Sequence, residues 1–169
     1  KNLLETGKFF NEFMGITDHQ KEMVLIPLSH SFGARRIIAQ LLLGGRIYIL
    51  KGFFNPAAAL MCIKKNNCTV LSLVPSQVRM FQQYFNNDFN EIGSKIKFIE
   101  LSSEPMALHE KKELIKNAPN AQIIMGYGLT EATRSSLLNF QKNLDKIHTS
   151  GKPIRGIEIL ILDNNDNPI

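Results

Sequence analysis

The sequence predicts an α/β fold: a doubly wound, mostly parallel sheet with helices on both faces, followed by a C-terminal β-strand that starts a hairpin. Two observations carry this. Short apolar runs alternate with segments of helical period, five of the first and four of the second. The runs are nearly continuous in hydrophobicity, as strands covered on both faces are. The 169 residues, 44% hydrophobic, are enough for one ordinary domain of roughly 100–150 residues with an appendage.

MVLIPL (Met23 to Leu28) reads as the first strand. From Ala34 the apolar residues Ile37, Ile38, Leu41 and Leu42 take helical spacing, and Gly44-Gly45 stops that helix. RIYIL (Arg46 to Leu50) is a second strand, and Asn55-Pro56 is a cap and first helical residue for AAALMCIKK. TVLSLV (Thr69 to Val74) precedes a helix opened by Pro75 and Ser76, with Val78, Phe81 and Phe85 on one face. KFIEL (Lys97 to Leu101) and QIIMG (Gln122 to Gly126) are strands separated by the polar helix HEKKELIKNA. Ligands of such sheets gather at strand carboxyl ends, so the loops after Leu28, Val74, Leu101 and Gly126 are the ones to inspect. After Thr133 the pattern changes. A polar stretch precedes IEILILD (Ile157 to Asp163), alternating at period two, and the turn cluster NNDNP. The expected division is an α/β, flavodoxin-like subdomain over 1–140, then a linker and the start of a β subdomain over 141–169. Lys1 opens directly onto the amphipathic stretch LLETGKFFNEFMG, and the expected hairpin lacks its second strand, which together predict an internal piece of a longer protein.

No apolar run approaches the ~20 residues that cross a bilayer. The net charge of +5 permits a polyanionic partner, but the basic residues Arg35, Arg36, Lys64, Lys65, Lys111, Lys112 and Lys116 are scattered where helices present solvated faces. They are not interleaved with aromatics, so nucleic acid is not expected as a partner. Cys62 and Cys68 have no clustered histidine and read as buried thiols of a reducing compartment, giving a cytoplasmic setting as the expectation.

Chemistry concentrates in MGYGLTEATRSS, Met125 to Ser136. Gly126 and Gly128 flank Tyr127, where backbone can approach a ligand closely and take positive φ. Tyr127 offers a ring for stacking, Thr130 a hydroxyl for a phosphate oxygen, and Glu131 a carboxylate for magnesium, a hard cation that prefers oxygen. The competing reading is a glycine-rich turn into a helix capped by Thr130. His30 lies just past a strand end, whereas His19, His109 and His148 fall in polar segments and read as solvated.

GYGLTEA strongly resembles the signature of the adenylate-forming superfamily, which includes acyl-CoA synthetases, luciferases and nonribosomal-peptide adenylation domains. PLSHSFG (Pro27 to Gly33) resembles its upstream histidine motif, and GKPIRGIEILILD (Gly151 to Asp163) its downstream Gly-x-Pro-x-x-Gly strand motif. The resemblance implies an ATP-dependent acid–thiol ligase with ATP or AMP, magnesium and coenzyme A. Tyr127 would pack on adenine, Thr130 contact the α-phosphate, Glu131 coordinate magnesium and His30 border the acyl-carboxylate pocket. Ser103, Glu104 and Pro105 match the segment along the adenine edge, where many members carry Gly-Gly-Ala-Pro. The Val74 to Val78 turn corresponds to a wall of the acyl pocket, or simply starts a helix.

The substrate implied is a carboxylic acid, fatty acids included. Two alternatives remain open: a fatty acyl-AMP ligase that loads a carrier-protein phosphopantetheine, and a flavodoxin-like binding domain without chemistry. The superfamily's phosphate loop ending in Pro-Lys-Gly, its Thr-Gly-Asp motif and its C-terminal catalytic lysine have no counterpart in the sequence. These residues alone are therefore expected not to form acyl-adenylate.

Overall fold

Strands and helices begin where local backbone chemistry permits. In the computed structural model, which describes residues 2–50 and 54–169, the amphipathic opening is helix α1 (Asn2–Met14), burying Phe10, Asn11 and Met14. Lys1, part of the predicted mid-element start, lies outside the described residues. β1 (Lys21–Val24) leads into α2 (Ser31–Leu43), which ends at Gly44 in the left-handed conformation, φ 68°, and passes to β2 (Arg46–Ile49). α3 (Pro56–Asn66) starts as the sequence predicts: Asn55 Oδ1 accepts from Ala58 N at 3.1 Å, with Pro56 in the first turn. β3 (Val70–Leu73), α4 (Pro75–Gly93), β4 (Phe98–Leu101), α5 (Leu108–Asn117) and β5 (Gln122–Tyr127) continue the alternation.

The sheet runs β2-β1-β3-β4-β5, all parallel, and is extended by antiparallel β6 (Ser136–Asn139) and β7 (Lys152–Pro153). The parallel part has the flavodoxin order, with its switch point between β1 and β3. Side chains alternate across it. Met23, Leu71, Leu73, Ile99, Leu101 and Ile123 join Leu60, Ile63, Phe81, Phe89 and Leu114 of α3, α4 and α5 in the larger core. Val70 and Ile124 join Phe10 and Met14 of α1 in the smaller one. The predicted doubly wound architecture is therefore present, with α1 packed beside α2.

Several expectations need correction. The first strand is Lys21–Val24, starting two residues before the apolar run and stopping four short of Leu28; it stops early because Pro27 lacks the N–H a ladder needs and Pro27 O instead accepts from His30 N in a turn. α2 begins three residues before Ala34. β6 was not expected, and Ile157 to Asp163 forms no ladder. Its antiparallel pairing is one bridge, Leu162 to Pro168, around a turn in which Asp163 Oδ1 accepts from Asn165 N and Asn167 N. With apolar side chains of Ile157 and Ile159 to Leu162 all exposed, alternation there has no sheet to satisfy. Arg35, Arg36 and Lys111 are buried, not on solvated faces. Partners explain this for two of them: Arg36 meets Glu22, and Lys111 Nζ donates to Ile147 O at 2.7 Å. Cys62 is half-buried, whereas burial pushes the Cys68 thiol up to about 12. Among the described residues no helix is long and apolar enough to cross a membrane.

Candidate active site

The carboxyl ends of β4 and β5 open onto a cavity of about 420 Å³. Ser103, Glu104, Pro105 and Met106 line one side of it, Gly126, Tyr127 and Gly128 another, and His148, Thr149 and Ser150 the rim. Tyr127 is 55% exposed despite its size, leaving a flat ring bare beside a cavity. His148, expected only as solvated surface, is exposed but edges this cavity. Sequence reasoning missed Thr149 and Ser150 as well, because only the β6 fold-back, with Ser136 Oγ donating to Ser150 O at 2.7 Å, brings them here.

Ser103 holds φ 75°, the left-handed region where the resembling segment carries glycine. Its hydroxyl-bearing neighbour Ser102 donates to Gly126 O at 3.0 Å, tying the β4 loop to β5. Glu104 turns its carboxylate toward α4, accepting from Ser76 N at 2.8 Å and Ser76 Oγ at 2.7 Å. That is a favourable place for a negative charge, since helix N-termini carry partial positive charge. Gln77 then accepts from Val74 N and donates to Leu25 O at 2.7 Å, so the Val74 to Val78 turn both starts α4 and abuts β1.

Beyond Tyr127 the chain does not enter a helix. Residues 128–135 form an irregular loop into β6, so the Thr130-capped helix is excluded. Neither Gly126 nor Gly128 has positive φ. Gly126 could carry a Cβ at ordinary distances, but at Gly128 a Cβ would lie 2.5 Å from Arg134 N and 2.7 Å from Ala132 O. Glycine is required there for the loop to close on itself. Thr130 and Glu131 are exposed and line a second cavity of about 740 Å³ with Ser31, Arg35 and the start of α1. Thr130 Oγ1 donates to Ser31 Oγ at 3.2 Å.

His30 is exposed, adjoins Ser31, and caps α2: its Nδ1 accepts from Phe32 N at 3.2 Å. That bond leaves Nε2 for other partners. A third, mostly apolar cavity of about 750 Å³ follows the β1/β3 switch point, lined by Val24 to Ser29, Ile49, Leu50, Phe54 and Gln77. The predicted residues thus lie along one edge of the sheet: Ser103, Glu104, Pro105, Gly126, Tyr127 and Gly128 at one cavity, Thr130 and Glu131 at the next, His30 beside the second and third.

The residues fit the groups that the resemblance implies. Tyr127 offers a ring to a base, and Glu131 an exposed carboxylate. No cluster of three or more potential metal ligands occurs among the described residues, and a magnesium site completed by phosphate oxygens and water needs only one or two carboxylates.

Beneath the loops, on the α1/α2 face, lies a buried ionic stripe that the sequence reading did not single out. Arg36 donates through Nε and Nη2 to Glu22, both at 2.6 Å, and its Nε is 3.3 Å from Glu100. Ser72 Oγ donates to Glu22 at 2.6 Å, and Arg134 Nε and Nη2 donate to Glu100 at 2.9 and 3.2 Å. Burial pushes the Arg36 pKa down, and the two carboxylates more than offset this to hold it above the usual guanidinium range. Arg134, equally buried but with one carboxylate and two neighbouring arginines, is lowered to about 10. The legible signal was Glu100 inside the apolar run Lys97 to Leu101, where a charge must be paired, whereas Glu22 precedes the run that starts at Met23 and gave no such sign.

Among solved structures, an amide bond synthetase from Marinactinospora thermotolerans superposes with a TM-score of 0.85 at 18% identity, covering 99% of this chain and 33% of that one. An o-succinylbenzoate CoA synthetase from Bacillus subtilis, in complex with ATP and magnesium ion, superposes with a TM-score of 0.83 at 20% identity, covering 99% and 34%. Both likenesses establish the fold. In sequence, the chain is 27% identical over 169 residues to a 4-coumarate–CoA ligase-like protein of Arabidopsis thaliana, covering 96% of this chain and 29% of the relative. It is 27% identical over 161 residues to a 2-succinylbenzoate–CoA ligase of Oceanobacillus iheyensis, covering 92% and 32%. Bacitracin synthase 3 of Bacillus licheniformis matches at 23% over 171 residues, 97% of this chain and 3% of that one. The chain spans a third or less of the length of these relatives. Its β4 and β5 loops, its switch-point cleft and its three sequence motifs all fall inside one family match covering residues 1–169, and the chain belongs to the AMP-binding enzyme family.

Proposed function

We propose that this chain supplies the adenine-facing and acid-facing walls of an enzyme that activates a carboxylic acid as its acyl-adenylate and passes the acyl group to coenzyme A. One observation carries the reading: the half-bare Tyr127 ring shares a cavity with the Ser103 to Met106 loop, and Thr130 and Glu131 follow directly beyond it. Tyr127 packs on the adenine, and Ser103, Glu104 and Pro105 form its edge. Thr130 donates its hydroxyl proton to an α-phosphate oxygen, exchanging the Ser31 contact for the ligand. Magnesium held at Glu131 supplies neutralisation of phosphate charge when bound. His30, its Nδ1 engaged by Phe32 N, borders the acid with Nε2. The apolar cavity after β1 takes the rest of the acid, and its lining favours an apolar tail.

The chemistry so supported is attack of a carboxylate oxygen on the α-phosphorus with release of pyrophosphate, followed by attack of the deprotonated thiol on the acyl carbon of the mixed anhydride, which forms the thioester and releases AMP. In this reading residues 1–140 are the α/β subdomain, 141–169 lead into a β subdomain, and the setting is cytoplasmic. Glu131→Ala in the full-length protein should lower acid-dependent pyrophosphate exchange by about 100-fold or more with the fold intact. An unchanged rate would remove Glu131 from the site. A second reading, transfer to a carrier-protein phosphopantetheine, draws on the Glu104-Pro105 pair, which has parallels in fatty acyl-AMP ligases. Comparing coenzyme A with a carrier protein as acceptor separates the two.

A further inference from the structure

Loop 128–135, which presents Thr130 and Glu131, has few ties of its own. Leu129 N donates to Ala132 O and Ser135 Oγ to the same oxygen, bonds internal to the loop, while Thr130 makes one exposed contact to Ser31 and Ser135 O accepts one bond from Ile154 N at 3.2 Å. What anchors it lies at its far end. Arg134 takes the left-handed conformation, φ 54°, and sends a 2% exposed side chain beneath the sheet edge. There its guanidinium grips both oxygens of Glu100 and covers the Phe10 ring at 3.9 Å, with Arg36 against the same ring at 5.1 Å. A planar fork on a carboxylate and an aromatic face fixes orientation as well as position.

We propose that Arg134 is a positioning residue for the nucleotide site. By locking onto Glu100 and Phe10, it draws the loop's end against Gly128 and so fixes where Thr130 and Glu131 stand. Two independent features agree. Gly128 and Arg134 approach so closely that only glycine fits, which makes the loop a closed clasp. Glu100 also sits on β4 directly before the Ser102 to Pro105 loop, so one carboxylate sets the ground under both sides of the cavity. Arg36 also lies 3.3 Å from Glu100, but its two 2.6 Å bonds go to Glu22, and the two-bond fork on Glu100 is made by Arg134.

This inference rests on the reading of the site as a nucleotide site, and the experiment separates the two. In the full-length protein, Arg134→Met and Arg134→Lys are compared with wild type by hydrogen exchange over residues 128–135 and by acid-dependent pyrophosphate exchange. Arg134→Met should speed amide exchange in the loop about tenfold or more while α4 is unchanged. It should raise KM for magnesium-ATP about tenfold or more, with a smaller effect on the KM for the acid. Arg134→Lys, which keeps charge but not the fork, should recover part of both. Unchanged loop exchange in a folded Arg134→Met protein overturns the proposal, as does equal loss for ATP and acid. Should wild type catalyse no pyrophosphate exchange while Arg134→Met still loosens the loop, the nucleotide reading fails and the anchoring of the loop stands.

Discussion

Ser103 shows how much a single backbone angle can decide. Its φ of 75° is a conformation that costs an ordinary residue about 1–2 kcal/mol, and it aims the Ser103 to Met106 loop into the cavity. Ser103→Gly should leave thermal stability within about 1 kcal/mol, because relief of strain is offset by the entropy of a freer unfolded chain. Ser103→Val, branched at Cβ and ill-suited to positive φ, should cost about 1–3 kcal/mol. Denaturant melts of the two variants measure both, and a Ser103→Val protein as stable as wild type would deny any strain there. Individual residues were also where the sequence was least legible. That Tyr127, Thr130 and Glu131 belong to one loop could be read from their adjacency. Ser150 and His148 could not, since they arrive through the return of the chain after β6. Nor could the pairing of Arg134 with Glu100, 34 residues apart.

Elements were easier to read where one period dominates. The helices after Asn55-Pro56 and Pro75 announce their starts by cap and proline, and β3, buried at every position, is apolar except for Ser72 because both of its faces are covered. Ile157 to Asp163 misled because alternation records a preference for a half-buried surface, and here no neighbouring strand offers one. Packing between elements adds charge contacts of its own. Arg79 of α4 donates to both oxygens of Glu110 at the start of α5, and that hydrogen bond, with Ala107 N, holds the Glu110 carboxyl below its usual range. A carboxyl depressed on folding stabilises the native state fully above its unfolded pKa of about 4.3 and loses that contribution as pH falls through the lower folded value. Wild type should therefore exceed Glu110→Gln in Tm at neutral pH, and the gap should close below about pH 4. A gap independent of pH would show that the α4–α5 tie does not depend on the charge.

The sheet as a whole explains why these parts form one site. Its order places β1 beside β3 and β5 beside β4, so loops far apart in sequence emerge along a single edge. Fold class was legible because alternating strand and helix leaves few ways to wind a parallel sheet. The antiparallel extension was not, since β6 is only four residues and follows a loop with no turn signature. The ionic stripe spans this architecture from α2 through β1 and β4 to the end of the 128–135 loop, and it sets an order on assembly. Glu22 and Glu100 cannot leave water until Arg36 and Arg134 have both been brought to them, because an unmatched carboxylate in the interior is strongly unfavourable. A chain severed at Pro119 would keep both acids, Glu22 and Glu100, with Arg36 in the first piece and strand Arg134 in the second. Each piece alone should melt without a cooperative transition, and mixing them should restore one. The sheet, in other words, cannot be completed from its left or its right side alone, because the countercharge for one half is written in the other.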